Sequence, residues 1–163
     1  MPGRKKSGQN TLIGNAGEYF VTAELLKRRV IAALAPRNAP AFDILATKSH
    51  KTVRIRVKTK SGKYADWQWV AKKDGRIFRH LHRKDDFTVL VNLTTQTKDM
   101  EYFVVPTYAL NKWLANDFRS WIKAPGKDGH VHDPKSTKRN LNCRKFGEEL
   151  KQYKEKWNSL WAK

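Results

Sequence analysis

Residues 52–60 read Thr52-Val53-Arg54-Ile55-Arg56-Val57-Lys58-Thr59-Lys60, an unbroken alternation of apolar and cationic side chains from Val53 to Lys58. Successive side chains of a strand point to opposite faces, so Val53, Ile55 and Val57 make one face and Arg54, Arg56, Lys58 and Lys60 the other. The first face belongs on a core, and the second is a cationic ladder. Toward the N-terminus lie two short apolar runs, Phe42 to Ala46 and Val30 to Ala35, separated by Pro36 and the turn residues Asn38-Ala39-Pro40. Before them Leu12, Ala16, Tyr19, Phe20, Ala23 and Leu26 recur at helical spacing, which predicts a helix over Thr11 to Arg29 with Thr11 as its cap.

On the other side of the ladder, Trp67 to Val70, Phe87 to Leu93 and Tyr102 to Val105 read as strands, and Thr107 to Leu114 as a helix behind Pro106. Lys72 to Lys84, with Gly75 and weak periodicity, reads as a basic loop, and Ser120 to Asn140 as irregular chain. Phe146, Leu150, Tyr153, Trp157, Leu160 and Trp161 fall at spacings of three and four, predicting one C-terminal helix from about Arg144 to Trp161. The order of elements indicates a central sheet flanked by helices in a single domain over residues 11–163, behind a flexible basic arm at residues 1–10.

The 163 residues carry 34 lysines and arginines against 15 aspartates and glutamates, a net charge of +19. Self-repulsion on that scale is relieved by a polyanion, so nucleic acid is the expected partner. Twelve lysines and arginines against two aspartates lie between His50 and Lys84, so +10 of the total comes from about a fifth of the chain, beside Tyr64, Trp67 and Trp69. Such a surface suits binding led by the phosphate backbone, with aromatics available to stack on bases. Six Trp, five Tyr and seven Phe exclude disorder of the whole chain. Trp113, Trp121, Trp157 and Trp161 are each open to reading as core, subunit interface or stacking platform. Cys143 is alone, so no intramolecular disulfide or cysteine-rich zinc module forms, which fits a reducing, cytoplasmic setting. No apolar run approaches the ~20 residues of a membrane helix.

Several candidate chemistries fall short. Gly14-Asn15-Ala16-Gly17 lacks the lysine of a phosphate loop and the preceding strand of a dinucleotide fingerprint. His80 with His82, and His130 with His132, are each half of a metal site that no cysteine cluster completes, and no histidine follows His132 to close a histidine-asparagine-histidine arrangement with Asn140. The stronger constellation is Glu18 in the first helix, Asp43 at a turn-proximal strand and Lys58 within the ladder. Carboxylates that hold Mg²⁺ near a phosphodiester, and a cation that orients water or offsets developing charge, are what a phosphodiester hydrolase needs.

The successive segments GNAGEYFVTAELLKRR (14–29), NAPAFDILA (38–46) and VRIRVKTKSG (53–62) resemble the motifs of the PD-(D/E)XK nuclease superfamily, most nearly its small resolvase-like and group I intron-associated homing endonucleases. The resemblance covers roughly the first two-thirds of the chain. It implies an α/β, restriction-endonuclease-like fold with a central mixed sheet flanked by helices, and endonuclease activity on duplex or branched DNA with Mg²⁺, or Mn²⁺ in its place. It also implies that Glu18 and Asp43 are metal ligands, and catalytic together with Lys58. Arg54, Arg56, Lys60, Lys63, Lys72 and Lys73 are the expected DNA contacts, and cutting both strands with one site per chain implies a homodimer or larger assembly. One position departs from the family. Two residues before the lysine, where the superfamily places glutamate, aspartate or glutamine, stands Arg56, which ligates no cation and repels one. Three readings follow: Glu18 and Asp43 hold one metal with water in the missing place, another carboxylate such as Asp66 substitutes, or the protein binds DNA without cutting it. A basic RNA-binding protein accounts equally for the charge alone.

Overall fold

A computed structural model describes residues 7–36, 39, 41–61, 64, 66–72, 76–78, 81, 83–94 and 96–162, with side chains from residue 11 onward. Helix α1 (Ser7–Lys27) is followed by β1 (Ile31–Leu34), β2 (Ile44–Lys48), β3 (Lys51–Ser61), β4 (Asp66–Val70), β5 (Asp86–Leu93), β6 (Glu101–Pro106), α2 (Thr107–Lys123), β7 (Lys138–Asn142) and α3 (Gly147–Lys151). Strands β1, β2, β3, β5 and β6 form one sheet in that order, and β4 pairs with β7 as a separate ribbon. The sheet is mixed: β1, β2 and β3 make an antiparallel meander, β3 runs parallel to β5 from Arg54↔Asp86 to Ser61↔Leu93, and β5 is antiparallel to β6. This is the α/β architecture the element order anticipates, a central mixed sheet flanked by helices.

Each face of the sheet carries its own core. On one, Val21 and Leu25 of α1 pack with Ile44, Ala46, Val53, Ile55, Val89 and Val91. On the other, the ribbon and α2 contribute Trp67, Trp69, Leu141, Leu110 and Leu114 against Leu90 and Val105. Helix α1 comes unusually close to the sheet at Gly17, where a Cβ would lie 1.8 Å from Thr59 Oγ1. It starts at Ser7, four residues before Thr11, and ends with Arg29 at φ 59°, where Val30 N–H reaches back to the Leu25 carbonyl at 3.1 Å.

Two expectations are corrected. The C-terminal helix is broken: α3 ends at Lys151, and the following segment bridges to β6 through Lys154 opposite Phe103. Val104 N–H donates to the Tyr153 carbonyl and Glu155 N–H to the Tyr102 carbonyl, both at 2.9 Å. Strand β6 ends the sheet, and its unpaired backbone groups are satisfied by this segment in place of helix continuation. The break also lets Leu150 enter one core while Trp157 and Leu160, in a 3-10 turn, enter the other, which one straight helix could not do. Within Ser120 to Asn140, α2 continues to Lys123 and the last residues open β7, whose partner β4 lies about seventy residues earlier. Lys72 to Lys84 forms no helix or strand among its described residues; Asn38, Pro40, His80 and His82 lie outside them.

Candidate active-site cleft

Strand β3 outruns β2. The antiparallel register ends at Ile44↔Ile55, so the next rung would join Asp43 to Arg56. Instead Asp43 N–H donates to the Ile55 carbonyl at 2.9 Å, one place out of register, and the Asp43 carboxylate accepts Val57 N–H through Oδ2 at 2.7 Å. A side chain thus replaces the backbone rung where the chain leaves the sheet. Strand residues direct their backbone groups to alternate edges, and Arg54 N–H faces the β5 side by bonding the Asp85 carbonyl. The backbone groups of Val57, Thr59 and Ser61 therefore face the edge that β2 has vacated.

That open edge lines a cleft of about 590 Å³, flanked by Ile13 and Gly14 of α1 on one side and Asp66 and Gln68 of β4 on the other. Glu18, half-buried and one turn beyond Gly14, stands on the flanking helix; Lys58 and Lys60 line the cleft itself. Asp66, the alternative carboxylate, shares this cleft with Lys58 and accepts a hydrogen bond from Asn142 at 2.6 Å.

The electrostatics centre on Asp43. Burial raises its carboxyl above the ordinary aspartate range, against the lowering pull of the Val57 N–H, Arg56 and Lys58. Arg56 Nε lies 3.6 Å from Asp43 Oδ2. Burial and the Arg56 charge push the Lys58 ammonium below its usual value, and Asp43 offsets part of that. Its Nζ stands 5.5 Å from the Trp69 ring centroid. The structure thus brings Asp43, Arg56 and Lys58 together. Asp43 Oδ1 accepts no hydrogen bond among the described residues.

The cationic ladder is not an open face. The β4–β7 ribbon covers it, and its two ends serve the fold: Arg54 forks onto the fully buried Asp86 at 2.7 and 2.8 Å. Lys60, 7% exposed, donates to Asn92 and to the Tyr64 carbonyl, both at 2.8 Å, and lies 4.8 Å from the Trp67 ring centroid. The sheet's α1-side core is built from the opposite side chains, so the alternation was read correctly while the covering layer was missed. Arg56 and the exposed Lys72 line a second groove of about 360 Å³ beside Trp69. Lys63 and Lys73 lie outside the described residues. His130 and His132 meet edge to face at 5.3 Å, and no group of three His, Cys, Asp or Glu side chains gathers as a metal cage among the described residues. Sequence reasoning passed over Gln68 and the Val57 to Ser61 backbone edge; the alternation Asp66-Trp67-Gln68-Trp69, with both tryptophans turned inward, was the available signal for the first.

No protein-family model matches the chain, and no curated protein does. Solved structures similar to it include two nucleases. One is a Holliday junction resolvase, Hjc, from the archaeal hyperthermophile Archaeoglobus fulgidus, with 12% identity over 79% of this chain and 83% of that one and a TM-score of 0.42. The other is the bacterial homing endonuclease I-Ssp6803I, with 15% identity over 91% of this chain and 88% of that one and a TM-score of 0.46. Similarity at this level carries no function across, which leaves the site to be read on its own chemistry.

Proposed function

We propose that this chain is a DNA-binding protein of the PD-(D/E)XK nuclease type, a Mg²⁺-dependent endonuclease that hydrolyses phosphodiester bonds at the open edge of β3. The observation that carries this reading is the Asp43 carboxylate, fixed on Val57 N–H beside Lys58 where the sheet opens into the cleft. Mg²⁺ keeps several waters and needs only one or two carboxylates besides substrate phosphates. Asp43 through its unengaged Oδ1, with Glu18 from α1, would hold it, and Mn²⁺ suits the same oxygens. When bound, the metal supplies a more acidic water and offsets phosphate charge. Lys58, desolvated and lowered in pKa, orients the attacking water and stabilises charge on the phosphodiester. Arg56 and Lys72 hold flanking phosphates along the second groove. Cutting both strands calls for two chains, and Leu12, Tyr19 and Leu26 form a seven-residue repeat of exposed apolar side chains on the outer face of α1 that suits a second copy. Cytoplasmic residence accords with the single cysteine.

The Asp43–Arg56 contact favours a second reading, in which the guanidinium takes the cation's place and the cleft binds DNA without cutting it. Plasmid nicking with Mg²⁺, Mn²⁺ or EDTA separates the two. Metal-dependent nicking that Asp43→Ala and Lys58→Ala each abolish supports the endonuclease; a gel shift with no nicking in any metal supports the binder. Stronger competition by structured RNA than by duplex or branched DNA at one salt concentration would refute both.

A further inference from the structure

The last turn of α2 carries an aromatic stack that the cleft chemistry does not use. Phe118 and Trp121 lie with ring centroids 5.7 Å apart at 26°, and the His132 ring covers Trp121 at 4.0 Å and 23°. The buried Arg139 guanidinium also lies over Phe118, 3.3 Å from the ring centroid. His132 belongs to the loop between α2 and β7, where Val131 is 87% exposed, and it makes no hydrogen bond among the described residues. A planar ring thus lies on an exposed tryptophan, held by stacking and by the edge contact with His130 and by no hydrogen bond among the described residues.

Beside this stack is a pocket of about 240 Å³ walled by Phe118, Trp121, Lys138 and Asn140. It is smaller than the ~300–1,000 Å³ usual for drug-sized ligands, which suits a single ring system. Asn140 Oδ1 is buried without a donor among the described residues, an unmet acceptor of the kind that a ligand N–H satisfies. Asn140 is also the cross-strand partner of Gln68, which lines the cleft. Directly opposed strand residues share a face with Cβ atoms about 4.5–5.5 Å apart, so the pocket and the cleft adjoin across one ribbon.

We propose that Trp121 is a stacking platform for an unpaired nucleobase of the DNA strand held in the cleft, and that His132 keeps the base's place in the free protein. The inference rests on the reading of the cleft as a DNA site, and it specifies the substrate as DNA with an unpaired nucleotide close to the bound phosphate. Every base offers a π-face, and base–aromatic stacking exceeds a typical aromatic pair in a folded protein, so exchange of imidazole for base is downhill.

The test is fluorescence polarisation at one salt concentration with two labelled DNAs of equal length, one fully paired and one with a short internal unpaired thymidine tract. The wild-type chain should prefer the unpaired tract by about tenfold. Trp121→Ala should lose the preference while keeping duplex affinity, Trp121→Phe should keep most of it, and His132→Ala, which clears the platform, should enlarge it. A preference that survives Trp121→Ala, or a wild-type chain that binds both DNAs equally, overturns the inference and leaves the cleft intact. Loss of preference in His132→Ala overturns the exchange, because His132 would then be the contact. No binding to either DNA even at low salt overturns the DNA site itself.

Discussion

Arg56→Gln tests the electrostatic logic of the site most directly. Arg56 Nε is 3.6 Å from Asp43 Oδ2, with the Arg56 side chain 38% exposed and that of Asp43 17%. At that separation two unit charges interact by about 1.2 kcal/mol in water-like dielectric and about 4.6 kcal/mol at an effective dielectric of 20. Solvent screening of the more exposed partner places this pair toward the lower figure. A dication on Asp43 must displace that attraction and meet the guanidinium's repulsion, so a neutral amide should ease its binding by about 1–2 kcal/mol, or about 5–30-fold in affinity. The Mg²⁺ concentration for half-maximal nicking, and for half-maximal thermal stabilisation, should fall by that factor in Arg56→Gln. Arg56→Lys, which keeps the charge, should not show the gain. Arg56 also helps push Lys58 down, so the basic limb of the pH–rate profile should move to higher pH in the glutamine variant. An unchanged Mg²⁺ midpoint in Arg56→Gln, together with metal dependence that survives Asp43→Ala, would refute the argument and place the metal elsewhere.

Asp43→Asn should raise the melting temperature while removing activity. The folded protein raises the Asp43 pKa, so the charged carboxylate is a burden that exists above the folded pKa and disappears below the unfolded one. The variant's advantage should therefore open as pH rises through and above the ordinary aspartate range, and a melting series that shows it widening toward acid would be fatal to this account. Arg54→Ala should lower stability by about 3 kcal/mol in urea melts, because it strands the fully buried Asp86, whereas Lys72→Ala should leave the melt alone and weaken DNA binding with a shallower salt dependence.

The strand pattern was legible because β3 announces itself. Strict alternation fixes the core-facing set, Val53 and Ile55 fully buried and Val57 half-buried, whatever lies above the other face. What covers that other face is a long-range fact. Strand β7 reads as Lys138-Arg139-Asn140-Leu141-Asn142, a polar run with one buried leucine, and becomes a strand only by pairing with Trp67 and its neighbours. The C-terminal region failed for the same reason. Spacings of three and four hold from Phe146 to Trp161, yet the free edge of β6 and the need to fill both cores outweigh local helix preference. Asp43 stood out in the sequence as a carboxylate flanked by Phe42, Ile44 and Leu45, whereas the substitution of its side chain for a backbone rung depends on β2 ending at Ile44, which sequence does not specify.

The chain's excess charge acquires a local meaning at this point in the sheet. Of the four ladder cations, Arg54 and Lys60 are matched inside the fold, by Asp86 and by Asn92 with the Tyr64 carbonyl. The middle two, Arg56 and Lys58, interact with Asp43, and burial already weighs against the charge on Asp43 and on Lys58. Charges in this half-buried setting are felt more strongly than the same charges on an open surface, because the local dielectric is low. A phosphodiester brings a negative charge to Arg56 and Lys58, and its arrival gives Arg56 an alternative to Asp43. Phosphate binding and metal binding are then coupled with a definite sign: the substrate that draws Arg56 away from Asp43 Oδ2 removes a positive charge from beside the carboxylate on which a cation would land, so DNA and Mg²⁺ should each tighten the binding of the other.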